Sequence, residues 1–233
     1  MLNPERVFRD LGGQFVASPQ QLVEKISKIK VFLFDWDGVF NAGYKGEGAT
    51  SLYSETDSMG TNLMRFGKYL QNGKIPFTAI ITGEQNESAF KLARREHFNA
   101  VFFKVKNKRL ALSYLGKVQG IKPEEVCFFF DDVLDMAIAK EVGLRVMIHR
   151  NSSPLFTGFV RENQFADYIT AYSGSQNGLR EASEVIMSFS EVFDRALDER
   201  INYSDNYQQY IHLRNAQSTS FFTQEDNQII DHL

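Results

Sequence analysis

Residues 31–43 read VFLFDWDGVFNAG, and the architecture of the chain depends on how this stretch is understood. Four consecutive apolar residues, 31–34, fit a strand buried on both faces, and the run breaks abruptly into Asp35, Trp36, Asp37 and Gly38. Two carboxylates at i and i+2 beyond a buried strand both project toward one crevice if the chain stays extended. Open α/β sheets bind their ligands in that crevice. Gly38 then frees the backbone to turn away. Two neighbouring negative charges are costly unless a cation or a shared proton relieves them. The pair therefore reads as ligands of a hard metal such as Mg²⁺, as an acid/base partnership, or as an acidic turn that merely caps the strand.

Upstream, Ser18, Pro19 and the following QQLVEKISKI form a helix start with an N-cap hydroxyl and proline at the first helical position. Residues 1–17 read as a loosely held extension. Downstream, YKGEGATSLYSETDS at 44–58 suggests a β-hairpin or flap, too short for a sizeable lid domain. A helix over 59–72 ends at Gly73 and leads to IPFTAIITG, a second buried strand closing in Thr82 and Gly83. The Thr82 hydroxyl is placed either to bind an anionic oxygen or simply to end the strand.

The next segments alternate in the same way: ESAFKLARREHF as a helix, NAVFFKV as a strand, and KNKRLALSYLGK as a helix. Lys106, Lys108 and Arg109 crowd the start of that helix, where cations are mildly disfavoured, so a nearby anion would rationalise them. For Lys106 and Arg109 a solvated basic face is the preferred reading. EEVCFFFDDVLDM is a fourth buried strand breaking into Asp131, Asp132 and Asp135. Asp131 and Asp135 at i and i+4 share one face of a first helical turn. Helix capping would account for them, but a cation shared with the first acidic strand accounts better for all three. LRVMIH and FADYIT are two further strands, SGSQNGLREASEVIMSF a long helix, and the stretch beyond Asp194 a polar tail with scattered aromatics.

At 233 residues with 43% hydrophobic content the chain can bury one good core. A single domain with extensions is expected: an N-terminal extension over 1–27, a central domain over 28–190, and a C-terminal tail over 191–233 that is helical or partly disordered, or packs on a neighbouring subunit. A net charge of only −3 argues against a nucleic-acid or membrane-surface partner held by bulk electrostatics. The single cysteine, Cys127, excludes an intrachain disulfide and a cysteine-cluster metal site, and reads as an inert core thiol. The charged start MLNPERVFRD is unlike a signal peptide and no apolar run reaches a membrane-spanning length, so a cytoplasmic location is expected. The 21 phenylalanines read as core and subunit-contact material.

Alternating strands and helices predict a parallel sheet with helices on both faces. Four successive strands carry DxD, T, then K just after, then DDxxD at their C-terminal ends. Carboxylates to hold Mg²⁺, a hydroxyl and an ammonium to bind phosphoryl oxygens, and a second carboxylate to move a proton are the parts with which a carboxylate attacks a phosphoryl group. In this order they resemble the haloacid dehalogenase superfamily of phosphatases. From about residue 28 to 190 the chain resembles its capless branch, which acts on 3-deoxy-D-manno-octulosonate 8-phosphate and acylneuraminate 9-phosphate. FDWDGVFNAG, TDSMG, ITG, NKRLAL, DDVLD and ADYIT…GSQNGLRE carry the likeness.

The resemblance implies a Rossmann-like α/β fold with a small flap and no large cap. It implies a Mg²⁺-dependent phosphatase for a small phosphorylated metabolite, and a homo-oligomer, typically a tetramer. Asp35 would be the nucleophile and Asp37 the general acid, while Thr82 and Lys108 bind the transferring group, with Gly83 and Asp57 counted among the substrate-binding residues. Asp35, Asp131 and the backbone carbonyl of Asp37 would ligate Mg²⁺, supported by Asp132 and Asp135. Phe130, Glu84, Ser58 and Gln176 depart from the family pattern, and the last of these and Glu84 stand where cations are usual. A non-catalytic assembly or regulatory module is the alternative these departures and the tail motivate. A phosphoaspartate receiver is a third reading, disfavoured by the order of acids and lysine.

Overall fold

The computed structural model describes residues 3–46 and 51–232. Its elements, in chain order, are α1 (Pro4–Leu11), β1 (Gln14–Phe15), α2 (Pro19–Lys28), β2 (Val31–Asp35), α3 (Glu55–Asn72), β3 (Phe77–Ile81), α4 (Glu87–Glu96), β4 (Ala100–Phe103) and α5 (Arg109–Gln119). There follow β5 (Val126–Phe130), α6 (Met136–Ala139), β6 (Leu144–Met147), α7 (Pro154–Glu162), β7 (Tyr168–Ile169), α8 (Gly178–Phe189), α9 (Phe193–Ile201), α10 (Asp205–Asn215), β8 (Ser220–Glu225) and β9 (Gln228–Asp231).

All strands join one sheet in the order β1-β7-β6-β5-β2-β3-β4-β8-β9. Every pairing from β7 across to β8 is parallel, and only the outermost strands, β1 and β9, run antiparallel to their neighbours. This is the α/β architecture expected. Strand β2 sits at the centre, and its alternation divides the core. Phe32 and Phe34 enter the layer formed with α2, α3 and α8, whereas Val31 and Leu33 enter the layer formed with α5, α6 and α7. Phe34 stacks on Phe129 of β5 with ring centroids 4.6 Å apart. Burial of each such ring stabilises the fold by about 2 kcal/mol.

From β2 the chain proceeds outward through β3 and β4, then returns to the other flank of β2 with β5, β6 and β7. The strand order therefore reverses between β2 and β5, the topological position at which open α/β sheets leave a crevice beyond their carboxyl ends. Asp35 and Asp131 stand on either side of it.

Three expectations change. Residues 4–15 are not a loose extension: Asn3 caps α1, and β1 pairs with β7 at Gln14↔Ile169 and Phe15↔Tyr168. Helix α3 begins at Glu55, earlier than the apolar pattern indicates, because the Ser54 hydroxyl accepts the Thr56 N–H and sets the start. For the segment after 191 the helical reading holds in α9 and α10, and an unexpected hairpin follows them. In this β8–β9 hairpin, β8 extends the sheet beyond β4 from Ala100↔Ser220 to Phe103↔Thr223. The segment's aromatics supply the reason, since Phe66 packs against Tyr207 and Tyr210, and Phe102 against Phe222. Residues 47–50 of the expected flap lie outside the described residues. Among the described residues, no helix is long and apolar enough to cross a membrane.

Candidate active site

Four neighbouring parallel strands deliver the four motif positions to one edge of the sheet. Asp35 is the last residue of β2 and Asp131 directly follows β5. Thr82 directly follows β3, and Lys108 stands at the head of α5 after β4. Carboxylate oxygens of Asp35, Asp131 and Asp135 all lie within 4.8 Å of one another, and all three residues are buried. The Lys108 ammonium donates to Asp35 and, at 2.5 Å, to Asp135. Arg150, in the loop after β6, donates to Asp131 Oδ2.

Three carboxylates facing two cations leave one negative charge uncompensated. Burial, reinforced by Asp135, raises Asp35 well above the usual carboxylate range despite Lys108. Burial likewise lifts Asp131 to about 6 against the opposing pull of Arg150. For Lys108, burial alone would favour the neutral amine, but Asp35 and Asp135 outweigh it and hold the ammonium charged. Asp131 Oδ1 is buried and has no hydrogen-bond partner among the described residues. An all-oxygen donor set with surplus negative charge and one orphaned buried oxygen fits a hard divalent cation such as Mg²⁺.

Glycines allow this convergence. Gly38 adopts the left-handed φ of 91°, and a Cβ there would overlap the Asp131 carboxylate and the Arg150 guanidinium. Gly174 lies so close to the carbonyls of Gly38 and Asn41 that a side chain would drive the segment before α8 off the acidic turn. Asn41 ties that turn together, accepting the Gly43 N–H at 2.8 Å and donating to the Trp36 carbonyl at 3.3 Å.

The remaining candidates separate. Asp37 is not in the acid triad; it accepts from Ser51 Oγ at 2.8 Å and Asn86 Nδ2 at 3.3 Å, and pairs with Lys45 at 3.1 Å. Asn86 also donates to Thr82 Oγ1 at 2.9 Å, so it joins the hydroxyl to the Asp37 carboxylate. Gly83 is exposed beside Thr82. The Asp132 carboxylate is not part of the triad and accepts its neighbour's amide, Val133 N–H, at 2.6 Å, while its own N–H donates to Asp135 Oδ2 at 3.4 Å. It caps the short turn that carries Asp135. Asp57, expected near substrate, has both oxygens engaged at the head of α8, by Arg180 N–H at 2.8 Å and Asn177 Nδ2 at 3.0 Å. The departures from pattern leave the triad intact. Phe130 stacks on Phe128 in the core, and Ser58 donates to Glu96 at 3.2 Å.

Asp57 is fully buried, and burial lifts it to about 6 even though Asn177 and the Arg180 amide oppose the shift. A carboxyl raised in the folded state contributes stability that is complete below the unfolded value near 4 and is lost as pH rises through 6. Asp57→Asn is therefore expected to remove up to about 3 kcal/mol of pH-dependent stability between pH 4 and 6. Urea unfolding of both proteins across that range checks this; an unchanged difference between the two pH limits would contradict it.

Serine, asparagine and arginine partners at this edge escaped the sequence reading. Asn86 carries the one local signal: it occupies the N-cap of α4 yet makes no capping bond among the described residues, because its amide faces Thr82 and Asp37.

No family model matches the chain. It is 24% identical over 184 residues to the 3-deoxy-D-manno-octulosonate 8-phosphate phosphatase KdsC of Escherichia coli K12, covering 77% of this chain and 90% of that one. Among solved structures it superposes, with a TM-score of 0.63 and 25% identity, on the 3-deoxy-D-manno-octulosonate 8-phosphate phosphatase of Moraxella catarrhalis in complex with magnesium, phosphate and KDO, over 77% of this chain and 97% of that one. A cobalt-bound deoxy-D-mannose-octulosonate 8-phosphate phosphatase from Haemophilus influenzae, 22% identical, shares the fold with a TM-score of 0.58 over 73% of this chain and 95% of that one. In sequence and in structure, the relatives of this chain are phosphatases of the haloacid dehalogenase superfamily, of the branch its motifs resemble.

Proposed function

We propose that the chain is a Mg²⁺-dependent phosphomonoesterase acting on a small phosphorylated sugar through an aspartyl-phosphate intermediate. One observation carries the reading: acids that stand 96 positions apart, Asp35 and Asp131, meet within 4.8 Å at the strand-order reversal, with Lys108 bonded into the same cluster. Names of the relatives support the substrate class, 3-deoxy-octulosonate 8-phosphate or a similar acidic sugar phosphate.

Asp35, Asp131 and Asp135 would hold the cation, which when bound neutralises the surplus charge and polarises the phosphoryl oxygens. Asp35 attacks phosphorus, the ester oxygen leaves, and the phosphoryl group passes to the Asp35 carboxylate. Thr82 and Lys108 bind the phosphoryl oxygens as charge shifts onto them. Asp37, held by Ser51 and Asn86, protonates the leaving sugar oxygen and then takes a proton from the water that cleaves the acyl phosphate. Burial of the triad limits competing water. A homotetramer in the cytoplasm is the proposed setting, and light scattering reads its size.

Phosphate release from a panel of sugar phosphates, with and without Mg²⁺, tests the activity. Release that requires Mg²⁺ is expected; its absence across the panel would refute the reading. Asp131→Asn should weaken Mg²⁺ binding tenfold or more, on the order of what loss of even an outer-shell partner costs. Calorimetric titration measures this without reference to turnover, and unaltered affinity would remove Asp131 from the ligand set.

A further inference from the structure

The resemblance ends near residue 190, yet the segment beyond it reaches the phosphoryl-binding lysine. Gln224, on β8, accepts two consecutive amides with one oxygen: Lys106 N–H at 3.0 Å and Asn107 N–H at 3.1 Å. Its own amide donates to the Asp226 carbonyl at 2.7 Å, so the hairpin turn fixes the side chain. These amides immediately precede Lys108, which opens α5 without a side-chain cap of its own.

The loop's other restraints include the buried Val105 side chain and the first turn of α5, where the Asn107 carbonyl accepts Leu110 N–H at 3.0 Å. Lys104 takes a left-handed φ of 53°, unfavourable for a residue with a Cβ, and Val105 N–H is tied to the Thr82 carbonyl at 3.1 Å. Lys106 and Asn107 are exposed, so without Gln224 water would take over their amides and the loop would gain freedom. The hairpin also grips both ends of the loop. Strand β8 pairs with β4 before it, and Phe222 packs against Phe102 and against Tyr114 of α5 after it.

We infer that the C-terminal hairpin is a working part of the phosphoryl site, with Gln224 as a positioning residue that fixes the backbone from which Lys108 reaches Asp35 and Asp135. The inference rests on the phosphatase reading for its consequence and on geometry alone for the placement. A displacement of about 1 Å in a catalytic group can cost on the order of 100-fold in rate. A lost acceptor on exposed amides disturbs the fold little.

Gln224→Met keeps the length and removes both the acceptor and the donor to the Asp226 carbonyl, whereas Gln224→Glu restores the acceptor alone, so the difference between the two variants isolates it. In Gln224→Met, amide exchange at Lys106 and Asn107 should quicken about tenfold. The Lys108 side-chain ¹⁵N resonance should move, and kcat should fall about tenfold with KM little changed. The melting temperature should stay within about 3 °C. Gln224→Glu, which lacks the donor to Asp226, should recover part of the amide protection and part of kcat relative to Gln224→Met. Unchanged exchange or an unmoved Lys108 resonance in Gln224→Met, or a Gln224→Glu variant no better protected and no more active than Gln224→Met, would overturn the inference. A wild-type protein without phosphatase activity would instead refute the proposed function, and the exchange and resonance measurements would still decide the placement.

Discussion

Asp35→Asn is expected to abolish phosphate release, by about 10⁴-fold or more, the scale on which removal of a nucleophile acts. An amide at this position cannot form the acyl phosphate, and the same change withdraws a charged ligand from the cation site. The fold should not suffer. Asp35 is buried among Asp131, Asp135 and Lys108, where burial and Asp135 already push it toward its neutral form. An asparagine keeps an oxygen to accept from Lys108 while relieving the surplus negative charge. Without Mg²⁺ the variant should therefore be as stable as the parent or more so in urea. Turnover within tenfold of the parent, or marked destabilisation, would contradict the role.

Lys108→Met should also lose activity, by about 10²–10³-fold, as expected for removal of one preorganised donor to developing charge. Its effect on stability should have the opposite sign. Lys108 is itself buried and bonds Asp35 and Asp135 together, so its loss leaves three buried carboxylates with Arg150 as their only basic partner among the described contacts. Breaking a buried pair from one side costs about 3–5 kcal/mol. Saturating Mg²⁺ should return part of that loss, because the cation takes over the neutralising role. Equal stability of parent and variant without Mg²⁺ would show that the ammonium does not hold the acids together. The contrast between the two variants separates catalytic failure from unfolding.

How far the site was legible follows from the range of each signal. DxD, Thr82, Lys108 and DDxxD each sit where a buried apolar run ends, so the strand pattern alone aligned them on one sheet edge. Asp57 looked equally acidic and equally close in sequence, but it faces the head of α8, a partner 120 residues away that nothing local announces. Arg150 lies in HRNSS, a loop without motif, and its role depends on a long side chain crossing to Asp131. The β8–β9 hairpin went unread for a related reason. SFFTQEDNQIID has two apolar pairs around a polar turn, a fair hairpin signal, yet what orders it is parallel pairing with β4, more than 100 residues earlier. Local periodicity carries no information about such a partner.

A crystal structure with Mg²⁺ and beryllium fluoride bears most directly on the convergence of the acids. The expected result is one magnesium ion held between the carboxylates of Asp35 and Asp131, with fluoroberyllate on Asp35 and Thr82 and Lys108 against its fluorines. Magnesium bound away from Asp131, or fluoroberyllate absent from Asp35 at saturating concentration, would contradict it.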